Sequence, residues 1–231
     1  MSAALLVELF DRVPEFRPGD DEDLWAAGAR AANRAFGDAV RERYAEGTLQ
    51  RLLTSGDAKT RRAAVLAVGL TGTPASVPAA AGALRDADPL VRHFAADALW
   101  ELWFRAGTDE QNQRLREVAS EPDAAKARTE LEDLLRAAPD YAEVHNQRAI
   151  WFFKQGQFAR AVEDCETVLR LNPHHYGAAA GMGQCLLKLN RPRAALRAFR
   201  RALDINPNLD LHETVRALES LGGDSPKPGA D

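Results

Sequence analysis

The chain is 231 residues long, with 45% hydrophobic and 7% aromatic residues, enough apolar material for one large or two small domains. A bias toward Ala, Leu, Arg and Glu, with few β-branched residues, favours helix over strand and predicts an all-α protein. The formal charge of −4 and pI near 5.8 leave no surplus of positive charge for phosphates or anionic lipids, which argues against nucleic acid and membrane as partners.

Residues 1–47 are helical by pattern, with a break from Pro14 to Asp20 and no internal repeat, and are expected to form an N-terminal helical cap. The apolar run between Met1 and Phe10 has no basic segment before it and is interrupted by Glu8, so a signal peptide is not expected. No stretch approaches the length of a membrane span, and a cytoplasmic location is the expectation. Cys165 and Cys185 lack CxxC spacing and are expected as reduced thiols in a helical core.

From residue 48 the pattern repeats. Leu53, Asp57, Arg61, Ala64 and Ala67 recur 31 residues later as Leu84, Asp88, Arg92, Ala95 and Ala98. Asp57 and Asp88 stand where helix N-caps are needed, and Thr73-Pro74 supplies a cap followed by a first-turn proline. On these residues, segment 48–107 resembles the HEAT-like repeat related to phycobilin-lyase proteins. The resemblance implies stacked helix pairs, with Arg61 and Arg92 in a ladder with the preceding aspartate. Trp100, Trp103 and Phe104 cluster where this period ends and are expected to seal the junction with a different helical layer.

A second period, of 34 residues, carries Ala149, Ala161 and Pro173 onto Gly183, Ala195 and Pro207. Gly156, in Gln155-Gly156-Gln157, offers the left-handed conformation that ends a helix, so helices are predicted at roughly 142–154 and 158–171. Asn172-Pro173 and Asn206-Pro207 close the two units, because proline disfavours α conformation in the residue before it.

These units resemble the tetratricopeptide repeat family, whose pattern is W-x2-L-G-x2-Y, A-x3-F, P. The slots hold Ala179, Met182, Gly183, Leu186, Ala195, Phe199 and Pro207 in one copy, and His145, Arg148, Ala149, Phe152, Ala161, Cys165 and Pro173 in the other. Arg148 in an apolar slot is a departure that either snorkels to solvent or loosens the junction. Leu115, Ala127, Leu131 and Pro139 mark a degenerate third copy at 108–141, ahead of copies at 142–175 and 176–209. A capping helix over 208–221 and a disordered tail at 222–231 complete the chain. The resemblances together imply a right-handed α-solenoid of stacked antiparallel helix pairs, a HEAT-like array continuing into a tetratricopeptide array.

No chemistry emerges from the motifs. The loop Gly69 to Pro74 lacks the lysine of a P-loop, and Gly181-Met182-Gly183 lies inside a helix rather than after a strand. His174-His175 falls in a turn without further ligands at metal spacing. Neither H-E-x-x-H nor G-x-S-x-G occurs, so no catalytic residue, metal or cofactor is expected. Arg191, Arg193, Arg197, Arg200 and Arg201 read as a solvated outward face of their helix.

The tetratricopeptide resemblance implies that the first helix of each unit lines a concave surface. Glu143, Asn146, Ile150, Phe153 and Lys154 would face it from one unit, and Ala180, Gln184, Leu187 and Lys188 from the next. Asn146, Ile150, Phe153, Lys154, Gln184, Leu187 and Lys188 are therefore the candidate partner-binding residues, an apolar strip flanked by lysines that suits a peptide with hydrophobic and acidic residues. The C-terminal helix folding back over them is the competing arrangement. Chaperone-type carboxylate clamps fit poorly, because Ile150, Gly177 and Gly181 occupy clamp slots of which only Asn146 is kept. The expected function is a non-catalytic protein-interaction adaptor. Its alternatives are a HEAT-like lyase-related or cofactor-handling protein using His93, Asp97 or Glu101, and a structural segment of a homo-oligomer.

Overall fold

The computed structural model describes residues 3–14 and 21–223, in which thirteen α-helices and one 3₁₀ turn are the regular elements. The chain divides into two compact units, Met1–Arg105 and Ala106–Asp231.

Unit 1 contains α1 (Ala3–Phe10), α2 (Glu22–Arg43), α3 (Glu46–Leu52), α4 (Ala58–Thr71), a 3₁₀ turn at Pro74–Ser76, α5 (Val77–Ala83) and α6 (Pro89–Trp103). Asp57 caps α4 by accepting from the Thr60 N–H, and Asp88 caps α6 by accepting from Leu90 and Val91. Thr73 accepts from the Ala75 N–H ahead of Pro74. Each side-chain oxygen satisfies a backbone donor that the first helical turn leaves without a partner.

The core between α4 and α6 is built largely from small residues, with Ala63, Ala64, Ala67, Val68, Ala95 and Ala98 all buried. This lets the two helices approach closely: a Cβ on Gly69 would stand 3.1 Å from Ala98. Both N-terminal helices pack against α4, and the Phe10 ring meets Phe36 and Phe94 edge to face at 6.4 and 6.3 Å. The N-terminal segment thus flanks the α4–α6 pair as well as preceding it.

The arginine ladder differs from expectation. Arg61 does not pair with the preceding Asp57, whose carboxylate is engaged with the Thr60 N–H and hydroxyl. Instead Arg61 makes a bidentate pair with Asp86, 25 residues on, at 2.7 and 2.9 Å, while its third nitrogen donates to the Ser55 and Gly56 carbonyls. Arg62 pairs with Asp88 in the same way. Arg92 donates to the Asp86 and Ala87 carbonyls. Arg61 and Arg92 thus tie α4 and α6 to the loops that precede them, and Arg61 and Arg62 tie α4 to Asp86 and Asp88 ahead of α6.

Unit 2 contains α7 (Asp109–Ala119), α8 (Ala124–Ala137), α9 (Ala142–Lys154), α10 (Phe158–Leu171), α11 (Tyr176–Lys188), α12 (Pro192–Ile205) and α13 (His212–Gly223). The helices predicted at 142–154 and 158–171 form at those positions. Gly156 has φ +70°, and Asn190, one 34-residue period later, has φ 54°, so the same left-handed residue ends the first helix of both units. Helices α10 and α12 stop at Leu171 and Ile205, the residues before Asn172-Pro173 and Asn206-Pro207.

A Cβ on Gly183 would lie 2.5 Å from the Phe199 ring, which is why that small-residue slot takes glycine beside a phenylalanine. Helix α7 is anchored by a capping box of Thr108 and Gln111. Helix α13 packs on α12, adding Val215 and Leu218 to a cluster with Leu186, Ala198 and Phe199. Both units are solenoidal in construction, with helix pairs stacked on helix pairs. The expected break at Pro14 to Asp20 and the expected tail at 222–231 fall largely outside the described residues.

Candidate functional site

The first helices α9 and α11 lie beside one another in unit 2. What stands open on their shared face depends on which polar residues the packing encloses.

Arg148 is neither snorkelled nor a loose contact. Its guanidinium forms a bidentate pair with Asp164 of α10, at 2.8 and 2.7 Å, and lies 5.8 Å from the Phe152 ring centroid. His145 contributes through Nδ1, 3.4 Å from Asp164, with its Nε2 2.8 Å from the Pro139 carbonyl. Burial pushes the Asp164 carboxyl up, but hydrogen bonds from Arg148 and His145 outweigh it and hold the group below the usual range. Asp164 sits inside the A-x3-F stretch at a position the family pattern leaves open, so only its helical spacing from Ala161 hints that it faces inward.

A second interior network involves residues expected on the groove. Glu143 and His175 are fully enclosed, with His175 Nε2 2.9 Å from Glu143 Oε2. The Ala178 N–H donates to His175 Nδ1 at 3.0 Å. That bond requires an unprotonated Nδ1, so a neutral ring carries its proton on Nε2 and donates it to Glu143. The other Glu143 oxygen accepts from Asn146 at 2.9 Å and Gln147 at 2.7 Å. His175 thus caps α11 from within the core rather than occupying an open turn.

Asn146, at 3% exposure, is consequently not part of the open face. Its carboxamide serves the buried Glu143 carboxylate, which needs donors to compensate its lost hydration. The other candidates remain accessible. Ile150 and Leu187 are 38% and 39% exposed, Phe153 is half-buried against Phe158 with ring centroids 5.5 Å apart, and Lys154, Gln184 and Lys188 are exposed. Helix α13 packs on α12 and leaves Ile150 and Leu187 uncovered. Both cysteines are buried among Ala149, Phe152 and Ala161, and burial pushes the Cys165 thiol up to about 12, so it stays protonated.

Unit 1 holds a separate cleft of about 850 Å³ lined by α1, α2, α4 and α6. His93, Asp97 and Glu101 all line it. His93 Nε2 lies 3.6 Å from Asp97, and these two side chains are 68% and 66% exposed. Glu101 is exposed as well.

Two family models match the chain: Tetratricopeptide repeat over residues 152–219 and HEAT repeats over residues 45–141. The HEAT match runs through α7 and α8, which the 34-residue spacing grouped with the later units. A TPR repeat-containing protein of Rhizobium etli is 38% identical over 95 residues, which make up 40% of this chain and 47% of that protein. The chain therefore spans about half the length of this relative. A thermophilic TPR protein of Thermus thermophilus aligns over 95% of this chain and 99% of its own, with 18% identity and a TM-score of 0.37.

Proposed function

The chain carries HEAT repeats and tetratricopeptide repeats, and we propose that it acts as a non-catalytic adaptor holding a partner peptide or helix on the open face of α9 and α11. The observation that carries this reading is the exposure of Ile150 and Leu187 outside the core. Lys154 and Lys188 stand beside them, one 34-residue period apart. Covering exposed apolar area stabilises a complex by about 25 cal/mol per Å², and the lysines favour acidic residues in the partner.

A net charge of −4 gives little attraction for nucleic acid. No helix among the described residues is long and apolar enough to cross a membrane, and we place the protein in the cytoplasm. Acid–base chemistry by His93, Asp97 and Glu101 is the weaker reading because of their solvation. A homo-oligomeric structural role predicts concentration-dependent mass in light scattering, which the adaptor reading does not.

The direct test is fluorescence anisotropy of a labelled amphipathic leucine–glutamate peptide with the full chain. Ile150→Ser with Leu187→Ser, and separately Lys154→Glu with Lys188→Glu, should each weaken binding by about tenfold. Unchanged affinity in both double variants would remove this face from consideration.

A further inference from the structure

The cleft of unit 1 has the size and the walls of a small-molecule site. Its volume of about 850 Å³ falls within the range of roughly 300–1,000 Å³ common for such pockets. Ala29, Val65 and Ala98, all buried, line it together with the partly buried rings of Phe10, Trp25 and Phe94. Phe10 and Phe94 meet edge to face at 6.3 Å.

One wall carries a polar residue out of keeping with the rest. On α2, Trp25, Ala29 and Asn33 follow one another at four-residue spacing, and all three line the cleft. Phe36 and Val40 continue that side of the helix into the core. Asn33 therefore interrupts an apolar stripe. Its Oδ1 is shut off from solvent and accepts no hydrogen bond among the described residues. An enclosed acceptor without a donor destabilises a fold, and leucine or alanine suits a helix interior better than asparagine. A half-turn about the last side-chain bond exchanges the two ends of the carboxamide, which can thus offer either an acceptor or a donor to a group in the cleft.

The charged side chains do not set the ligand's chemistry. Lys59 reaches Asp11 at 2.6 Å, and Arg62 is bound to Asp88, so both cations of the walls are held by carboxylates. His93 lies 3.6 Å from Asp97, with both side chains two-thirds exposed and therefore screened by water. What remains is aromatic surface and one carboxamide. We infer that the cleft binds a neutral aromatic molecule carrying a hydroxyl or amide group, its ring against Phe10, Trp25 and Phe94 and its polar group on Asn33. Hydroxyl and amide groups both donate and accept, so either end of the carboxamide is matched.

The test measures binding of 2-naphthol and of 2-methylnaphthalene to the full chain by equilibrium dialysis. The two probes differ by a hydroxyl in place of a methyl group of similar size. In a purely apolar pocket the methyl compound binds more tightly, because the hydroxyl loses its hydration without compensation. The wild-type chain should instead bind 2-naphthol at one saturable site, about fivefold more tightly than 2-methylnaphthalene. Asn33→Leu should reverse that order, and so should Asn33→Ala, which adds no bulk. Both variants should unfold at a thermal midpoint no lower than that of the wild type, since each removes the enclosed acceptor. Ile150→Ser with Leu187→Ser should leave 2-naphthol binding within about twofold, and the Asn33 variants should leave binding of the leucine–glutamate peptide unchanged. Failure at this cleft is therefore distinguishable from failure at the α9–α11 face. The inference is overturned if neither probe saturates, if the wild-type chain prefers 2-methylnaphthalene, or if the preference for 2-naphthol survives in both Asn33 variants.

Discussion

Units 1 and 2 are both stacked helix pairs, yet they use charge in different places. Unit 1 surrounds an alanine-rich interior with guanidinium–carboxylate pairs at its loops and helix starts, as in Arg61–Asp86 and Arg62–Asp88. Unit 2 draws polar groups inside: Arg148–Asp164 and the Glu143–His175 network sit between helices. Small side chains specify close packing by shape alone. A buried ion pair or hydrogen-bonded carboxylate fixes register by the cost of leaving any member without its partner.

That contrast is open to attack at several points. The largest effect is expected for Asp164→Ala, which leaves the Arg148 guanidinium partly buried and should destabilise unit 2 by about 3–5 kcal/mol. Chemical denaturation followed at Trp151 would measure it. Replacing both partners, as in Arg148→Met with Asp164→Leu, should recover most of the loss; if it does not, the pair contributes more than mutual compensation.

Gly183→Ala comes next, because the new Cβ meets the buried Phe199 ring at 2.5 Å. A cost of about 1–3 kcal/mol is expected, read as a lower denaturant midpoint. Truncating the ring by Phe199→Leu in the same chain should reduce the penalty. At the corresponding slot of the preceding repeat, Ala149 is already tolerated.

A pH titration separates the units by a different route. The hydrogen bond from Arg62, ahead of opposing burial, holds Asp88 at about 2 against an ordinary 3.8. The folded state therefore binds this proton less readily than the unfolded one, so the contribution to stability is complete above the ordinary value and disappears as pH falls through about 2. Asp88→Asn should shrink that acid limb in unit 1 without abolishing it, because hydrogen bonds from Arg61 and Thr60 also hold Asp86 and Asp57 below their ordinary range. Asp164, also held below the usual range, should keep a corresponding acid dependence in unit 2.

The smallest effect belongs to the proposed binding face. Lys154→Glu with Lys188→Glu should alter stability by less than about 0.5 kcal/mol, since both side chains are exposed. A larger shift in thermal midpoint would mean that these lysines support the fold, and would sharpen the contrast between units in a different direction.

Much of the fold was legible in the residues. The 31- and 34-residue periods marked the helix pairs, aspartates marked the caps of α4 and α6, and Asn-Pro marked the ends of α10 and α12. The left-handed turn at Gly156 followed from its neighbours, and Asn190 occupies the same place one period later. The site was less legible. Of the residues that the tetratricopeptide resemblance put on the groove, Ile150 and Leu187 are exposed whereas Asn146 is enclosed. A helix-face argument fixes direction, and it does not reveal what lies above that direction. Arg148 read as a misfit because its compensating Asp164 is 16 residues away on another helix. Arg61 was matched to its nearest aspartate, whereas the fork geometry reaches Asp86 across the next loop.

The sequence by itself determined what is local and periodic: helix boundaries, caps, turn conformations and the residues that pack within a pair. Those features depend on backbone sterics and spacing along a single helix, which the order of residues specifies directly. Only the tertiary structure decided which polar side chains find one another and which faces stay open to water. Those outcomes depend on contacts between helices distant in sequence, such as His175 on Glu143 and Phe10 on Phe94. It also brought Trp25 of α2 and Leu90, Asp97 and Glu101 of α6 to the walls of one cleft.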